Sequence, residues 1–440
     1  MPEELKMRYV PTGALKPHPL NPRHHPPSQL RQVAKSIQVC GFINPIIIDA
    51  DATIVAGHAR LLAAQQLGLK MIPVIEVTHL SEAQLRAYML ADNKLVENAG
   101  WDKELLRVHL DFLTQIDLDF DIDMTGFSTP EIDLLFQKVE QADAADAEIP
   151  DPPAPADAVT QPGDLWLLDE HRILCGDVRS PADVHDLMAD QAAAMVFTDP
   201  PYNVPINGHV SGLGKHRHPE FAMASGEMSA REFCGFLTAS FAALAVVSRD
   251  GAVHFLCMDW RHLAELLAAA APVYDTQLNL CIWTKTNAGM GSLYRSQHEL
   301  IGVYRVGKSP HTNNVELGKH GRYRTNVWQY AGMNAFGSER EEALSLHPTV
   351  KPVRLIVDAI LDVTHRKDIV LDGFLGSGST LLAAERTGRI GYGIEIEPRY
   401  VDVAVRRWQA MTGRAARHAQ TGTAFDELAM ARRARQTGEH

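Results

Sequence analysis

Apolar residues recur along this chain with two different spacings. Leu30, Val33, Ala34 and Ile37 stand three and four apart, which predicts a helix. Pro45-Ile46-Ile47-Ile48 is a short unbroken apolar run and predicts a buried strand. Ile54-Val55 follows, and Gly57 opens a helix through Ala59-Arg60-Leu61-Leu62 to Leu67-Gly68. Pro73-Val74-Ile75-Glu76-Val77 predicts another strand. Ser81 with Gln84 has the spacing of a capping box, in which each residue bonds the other's backbone N–H at a helix start. Together these predict a small α/β domain. Farther on, Ala194–Thr198, Ala252–Leu256, Ile369–Leu371 and Ile390–Ile394 are short and apolar throughout. Strands covered on both faces read this way. With helical patterns between several of them, they predict an α/β fold with a doubly wound sheet. Its ligands would lie at the C-terminal strand ends.

Between the two patterns lies EQADAADAEIPDPPAPADAVTQ, residues 140–161. It carries acids and prolines, no Lys or Arg, and almost nothing large to bury, which is the composition of a solvated linker. The expected organisation is an N-terminal domain over 1–139, this linker, a second domain over 162–411, and a tail over 412–440, a loosely held helix with Arg432, Arg433 and Arg435. The five cysteines form no C-x-x-C pair, which argues against a disulfide framework or zinc site and for a reducing cytoplasm. The start MPEELKMRYV is not a signal peptide, and no apolar run reaches the roughly 18 to 20 residues of a membrane span.

The run AMVFT leads straight into Asp199-Pro200-Pro201-Tyr202-Asn203. Two prolines fix φ and remove two N–H groups, so the strand must end there. The result is a stiff loop rich in acceptors and poor in donors. Such a loop suits an exocyclic base amino group, whose lone pair is delocalised into the ring. Acceptors on both amino hydrogens, the Asp199 carboxylate and the Pro200 carbonyl, would draw the nitrogen toward tetrahedral geometry. Tyr202 could stack on a flipped-out base. A turn that merely ends a strand is the plainer reading of the same four residues.

Residues 369–382, IVLDGFLGSGSTLL, place a glycine loop between a strand and a helix. Glycines admit close approach of a ligand to the backbone, and the helix N-terminus adds a positive dipole end. Leu381 occupies the last glycine position of G-x-G-x-x-G and no P-loop Lys is present, which disfavours a pyrophosphate. The next strand ends in Glu395, placed to accept from ribose hydroxyls. The pair points to a nucleoside-bearing cofactor, against the alternative of an ordinary loop with a surface Glu.

In this order the motifs resemble the β-group of the DNA amino-methyltransferases, in which D-P-P-Y precedes F-x-G-x-G. The resemblance covers roughly residues 162–411. Cys175-Gly176-Asp177, Trp283-Thr284-Lys285, Gln297-His298-Glu299 and His347-Pro348-Thr349-Val350-Lys351-Pro352 are similar to its other motifs. Gly373 stands where Pro is usual, Ser379 where Thr is common, and residues 203–225 form a long insert-like loop. The resemblance implies a Rossmann-like methyltransferase sheet, S-adenosylmethionine as cofactor and double-stranded DNA as substrate. It implies a catalytic set of Asp199, Pro200, Pro201 and Tyr202. Asp372 would hold the cofactor's amino group, Glu395 its ribose and Asp177 its adenine. Phe374, Gly376, Gly378, Ser379, Thr380 and Lys351 complete the expected cofactor set, and no metal is expected. Asp in the first loop position favours adenine N6. Cytosine N4 is the alternative, and a non-catalytic DNA-segregation protein a second.

The first domain resembles the ParB-like, sulfiredoxin-like domains through Asn21-Pro22-Arg23, the Ile-rich strand, Gly57-His58-Ala59-Arg60 and Ala91-Asp92-Asn93-Lys94. In that superfamily the G-x-x-R box can contact nucleotide phosphates, so Arg60 is a candidate nucleotide contact or a packing residue. The expectation is a DNA-contacting or recruiting domain, in a bacterial or phage-encoded cytoplasmic protein that could be a homodimer.

The net charge of −12 does not suggest a nucleic-acid binder, so the location of charge matters. Between Trp283 and Tyr330, Lys285, Arg295, Arg305, Lys308, Lys319, Arg322 and Arg324 face only Glu299 and Glu316, a local +5. Tyr294, Tyr304, Tyr323, Trp328 and Tyr330 are interleaved. Target recognition is therefore expected over about 283–346, with Lys285, Arg295, His298, Arg322 and Arg324 on the DNA. A solvated face over core aromatics is the alternative. His209, Lys215, His216, Arg217 and His218 read as a DNA-facing loop. Asp117, Asp119, Asp121 and Asp123 lack the Gly of a calcium loop and read as an edge strand or extended turn.

Overall fold

A computed structural model describes residues 5–116, 118, 120, 122–137, 158–204, 226–286, 293–318, 322–330 and 351–437. The chain divides into two compact units, Met1–Glu140 and Gln141–His440.

The first unit runs β1 (Met7–Pro11), α1 (Pro27–Cys40), β2 (Ile46–Ile48), β3 (Ile54–Ala56), α2 (His58–Gln66), β4 (Met71–Glu76), α3 (Glu82–Glu97), α4 (Lys103–Gln115) and α5 (Thr129–Gln137). Its sheet has the order β1-β4-β2-β3. Ile46, Ile48, Ile54, Leu61, Ile72 and Val74 form its core. The expected capping box is present. Gln84 Oε1 accepts from the Ser81 N–H at 2.9 Å, and Ser81 Oγ from the Gln84 N–H at 3.4 Å. Of the acidic stretch, Asp117, Asp119 and Asp121 lie outside the described residues, and Ile122–Thr125 form a turn of 3-10 helix.

The second unit runs β5 (Leu165–Leu168), β6 (His171–Cys175), α6 (Pro181–Met188), β7 (Ala193–Thr198), α7 (Ala230–Val246), β8 (Ser248–Met258), α8 (Leu263–Ala270), β9 (Thr276–Thr284), β10 (His298–Arg305), β11 (Val327–Gln329), α9 (Val353–Val363), β12 (Ile369–Asp372), α10 (Ser379–Thr387), β13 (Ile390–Glu395), α11 (Pro398–Thr412), β14 (Arg417–His418) and α12 (Phe425–Thr437). The sheet order is β11-β9-β10-β8-β7-β12-β13-β6-β5-β14. The centre, β8-β7-β12-β13-β6, is parallel. β10 joins β8 and β9 antiparallel, and β5 joins β6 antiparallel.

The expected doubly wound sheet is therefore present, with antiparallel strands added on both sides. Its central strands show no polar alternation because both faces are covered. Met195 and Phe197 of β7 enter one core, with Phe255 and Val370, while Val196 enters another, with Leu371 and Leu244. His254 lies inside the apolar run of β8. Its ring lies 3.0 Å from the Tyr274 hydroxyl and 2.9 Å from Ser248 Oγ, and burial pushes its pKa down to about 3. It is a neutral, satisfied core histidine.

The residues after 411, expected as a loosely held tail, are built into the fold. β14 pairs with β5, Phe425 is fully buried against Trp166, and Arg432 Nη1 lies 2.9 Å from Asp164 Oδ2. Among the described residues no helix is long and apolar enough to cross a membrane.

Candidate active site

β7 turns outward on one side of the sheet's centre and β12 on the other. β7 leads through α7 to β8, and β12 through α10 to β13. Their C-terminal ends therefore meet at the topological switch point, where open α/β sheets bind ligands. The register sets Val196 opposite Leu371, so the loop after Thr198 and the loop after Asp372 emerge side by side. Thr198 Oγ1 donates to Asp372 Oδ1 at 2.9 Å and ties their roots together.

The Asp199 loop is closely held. Asp199 Oδ1 accepts from the Tyr202 hydroxyl at 2.6 Å, and Oδ2 from Lys351 Nζ at 2.5 Å. Pro200 is buried. The Lys351 ammonium also lies 2.9 Å from Glu299 Oε2 and 3.2 Å from the Tyr202 oxygen. Lys285 Nζ lies 2.5 Å from the other Glu299 oxygen, Oε1. Asn203 clasps the far side: its Oδ1 accepts from the N–H groups of Gly226 and Met228, and its Nδ2 donates to the Met228 carbonyl. The His209, Lys215, His216, Arg217 and His218 segment between lies outside the described residues, as do His347–Val350.

The two carboxyls of this cluster differ. Burial pushes Asp199 up, Lys351 pulls it back and Glu299 pushes it up again, leaving it above the usual carboxylate value. Burial would raise Glu299 too, but Lys351 and Lys285 together bring it down to about 2. Burial opposes the charge on Lys351, yet the two carboxylates hold its pKa above the ordinary lysine value. Glu299 is thus the fixed anion, and Asp199 is the carboxyl closer to exchanging a proton.

The glycine loop carries the second pair of acids. Asp372 accepts from the Phe374 N–H at 3.0 Å and from the Thr380 hydroxyl at 2.7 Å, and burial lifts it to about 6. Glu395, at the end of β13, accepts from the Gly376 N–H at 2.8 Å and the Glu397 N–H at 2.9 Å. Burial lifts it to about 7. Gly378 adopts φ +86°, and a Cβ there would stand 2.8 Å from that of Ala404. Only glycine avoids both problems. Gly373, where Pro is usual in the resembled group, is fitted in its own way: a Cβ would stand 2.8 Å from Val178 Cγ2. Arg407 of α11 donates to the Ser377 carbonyl at 2.7 Å and lies 3.5 Å from Ser379 Oγ, bracing the loop from behind.

Two acids with raised pKa values, Asp372 buried and Glu395 half-buried, face a loop kept open by glycines. Each Glu395 oxygen shows one backbone donor and keeps a lone pair for another. That acceptor set fits a ligand presenting hydroxyls and positive charge. Asp177, expected at the cofactor's adenine, is taken up by Arg179, whose Nη2 lies 2.6 Å from its Oδ2. Lys351, expected with the cofactor, stands at the Asp199 loop instead. Its position after the His-Pro segment gave no hint of this, because its partners are remote in sequence. Sequence reasoning also gave Glu299 no role. The available signals were its place in the resembled Gln297-His298-Glu299 segment and an acid flanking the buried run Leu300–Tyr304 of β10.

The expected DNA contacts separate. Arg295 is exposed, beside Leu293 and Tyr294, each 83% exposed. His298 and Lys285, with Gln297, line a groove of about 660 Å³. Arg322 and Arg324 turn inward, contrary to expectation. Arg322 is 6% exposed, with Nη2 2.8 Å from Asp362 Oδ1 and 3.2 Å from Asp358 Oδ1. Arg324 Nε lies 2.9 Å from Asp362 Oδ2. The two acids sit one helical turn apart on α9 and collect both guanidinium groups. Of the aromatics, Tyr304 and Trp328 are buried, Tyr330 bonds Asp358 at 2.6 Å, and Tyr323 is exposed.

In the first unit three of the four quoted segments line one cavity of about 390 Å³, through Asn21, Arg23, His58, Arg60, Asp92 and Asn93. Arg60 Nη1 donates to the carbonyls of Asn44 and Pro45 at 2.8 Å each, so the guanidinium braces the loop before β2.

Comparison with known proteins assigns the segments. Residues 193–406 match the DNA methylase family, residues 104–162 the ParB-methyltransferase HTH domain, and residues 2–93 the ParB N-terminal domain. The helix-turn-helix match thus runs into the stretch whose composition reads as a linker. The ParB-like nuclease domain-containing protein YnaK of Escherichia coli K12 is 39% identical over 84 residues, 19% of this chain and 97% of that protein. The type II methyltransferase M.HinfI of Haemophilus influenzae is 35% identical over 140 residues, 30% of this chain and 38% of that enzyme. The solved structure of the M1.HpyAVI–SAM complex aligns with a TM-score of 0.38 at 19% identity, over 54% of this chain and 98% of that one.

Proposed function

The chain belongs to the DNA methylase family through residues 193–406 and carries a ParB N-terminal domain over residues 2–93, and on that footing we propose that it transfers a methyl group from S-adenosylmethionine to the N6 amino group of adenine in duplex DNA. One observation carries the reading. The acceptor-rich Asp199 loop leaves the sheet directly beside Asp372, which leads into the glycine loop and Glu395, and is joined to Asp372 through Thr198. A base amino group and a nucleoside cofactor held at these two loops would be neighbours.

S-adenosylmethionine, when bound, supplies an electrophilic methyl carbon. Glu395 would hold its ribose hydroxyls, and Asp372 and the Phe374–Thr380 loop its charged end. Asp199 and the Pro200 carbonyl would accept the two amino hydrogens of the base, freeing the nitrogen lone pair for the new N–C bond while the methyl–sulfur bond breaks and its electron pair stays on the sulfur, which leaves as a neutral thioether. The amino group gives up one proton afterwards, and Asp199 is the acceptor at hand. Tyr202 offers a ring face to the flipped base. Arg295, His298 and Lys285 remain the DNA contacts of this reading, while Arg322 and Arg324 serve the packing of α9. The ParB N-terminal unit adds a DNA-contacting or recruiting surface, and its cavity at Arg60 is where a nucleotide would sit.

The test is incorporation of label from S-adenosylmethionine into mixed duplex DNA, followed by digestion to nucleosides. N6-methyladenine is expected. N4-methylcytosine would change the base and keep the mechanism, and unlabelled DNA would overturn the reading. Asp199→Ala should lower kcat roughly a thousandfold while cofactor binding persists. Undiminished turnover in that variant would remove Asp199 from the chemistry.

A further inference from the structure

The Asp199 loop is surrounded by charge that the methyl transfer does not itself require, and the inference drawn from it rests on the reading above. Lys351 is 4% exposed, yet its ammonium reaches three acceptors: Asp199 Oδ2 at 2.5 Å, Glu299 Oε2 at 2.9 Å and the Tyr202 oxygen at 3.2 Å. An ammonium has three N–H donors, so its hydrogen bonding is fully used and its direction fixed. It also lies over two aromatic faces, 5.5 Å from the Tyr202 ring centre and 5.8 Å from that of Trp283. Glu299 is gripped from the other side by Lys285, so two carboxylates and two ammonium groups balance in one half-buried cluster.

We propose that Lys351 is a positioning residue: clamped by Glu299, it keeps Asp199 charged and aims its free lone pairs toward the amino hydrogens of the base. Each Asp199 oxygen receives one bond in the cluster, from Tyr202 or from Lys351, and each retains capacity for a second. Without the ammonium, the same buried carboxyl would favour its neutral form, and a neutral carboxyl offers a base amino group a poorer acceptor. Tyr202 is held in the same grip through its hydroxyl, which fixes the ring that would meet the base. The groups facing Asp199 are Tyr202 on its own loop, Lys351 ahead of α9, Glu299 on β10, Cys257 on β8 and Asp372 on β12. Among these Lys351 is the cation, and Lys285 acts through Glu299.

The clamp makes two predictions of opposite sign. Lys351→Met removes the cation, so the Asp199 titration should move up by about one to three pH units. Glu299→Gln removes a neighbouring anion, so it should move down. Lys351→Arg should restore most of the wild-type value. The full-length protein is labelled with ¹³C-carboxyl aspartate, and the Asp199 signal is found by difference from Asp199→Asn. The kcat–pH profile on duplex DNA is recorded in parallel, and its acid limb should follow the same shifts. Thermal melts show that each variant is folded, and Lys351→Arg covers a collapse of the methionine variant. An Asp199 titration that ignores both substitutions overturns the clamp, as does a Lys351→Met enzyme that keeps kcat and loses only cofactor affinity. Wild-type protein that leaves DNA unlabelled, with both titration shifts present, overturns the methyl-transfer reading and leaves the clamp standing.

Discussion

At the scale of single residues, the acids set the pH behaviour. Glu395 has been lifted to about 7 and Asp372 to about 6, in each case by burial first. A cationic, hydroxyl-bearing cofactor binds their anionic forms. Binding therefore draws protons off, and affinity rises as pH rises through the free-protein values. With pKa values near 7 and 6, about one Glu395 in ten and one Asp372 in two are ionised at pH 6, so S-adenosylmethionine should bind about twentyfold more weakly there than at the plateau above pH 8. Calorimetric Kd values across pH 6 to 8.5 check this, and Glu395→Gln should flatten the curve as well as weaken it. Much of this site was legible in the sequence. The prolines at 200 and 201 and the glycines at 376 and 378 dictate loops by their own covalent geometry. The partner of Lys351 was not legible, because nothing local to residue 351 refers to residue 199.

At the scale of elements, α9 separates two kinds of arginine that look alike in the sequence. Asp358 and Asp362 lie on one face of it and bind Arg322 and Arg324, while Arg295 stands in the open. Removing Arg322 leaves the buried Asp362 carboxylate with one of its two guanidinium partners. Arg322→Ala should cost on the order of 3 kcal/mol of stability, read as a lower Tm and denaturation midpoint. Arg295→Ala should leave the melt unchanged, weaken DNA binding, and reduce the slope of log K against log salt by about 1. If the two variants exchange these behaviours, the assignment of inward and outward arginines is wrong. The basic run from 283 to 330 was visible as a surplus of charge. Which members reach solvent depends on a helix more than thirty residues away, so composition could only nominate them.

At the scale of the whole molecule, each of the two compact units has a core of its own. Separate cores are expected to melt separately. Differential scanning calorimetry should show two transitions, and S-adenosylmethionine should raise one of them, by about 2.7 kcal/mol of apparent stability at a hundred times its Kd. A single transition that moves as one with the cofactor would mean that the units fold together. The tail after 411 belongs to this scale too. Its arginines suggested a loose helix, but Phe425 and β14 complete the second unit's core and sheet.

The sequence by itself determined the central strands β7, β8, β12 and β13 and the two site loops. Each of these follows from residues close in the chain: an apolar run has to be covered, Pro-Pro has to stop a strand, and a glycine loop has to bend. The tertiary structure decided how charge is paired. Lys351 meets Asp199 across 152 positions of sequence, and Tyr202 meets Glu299 across 97. Contacts over such distances are set by the sheet order that brings β7, β10 and the start of α9 together. Partial burial then favours the pairing, because a lone charge in that cluster would have little solvent to turn to.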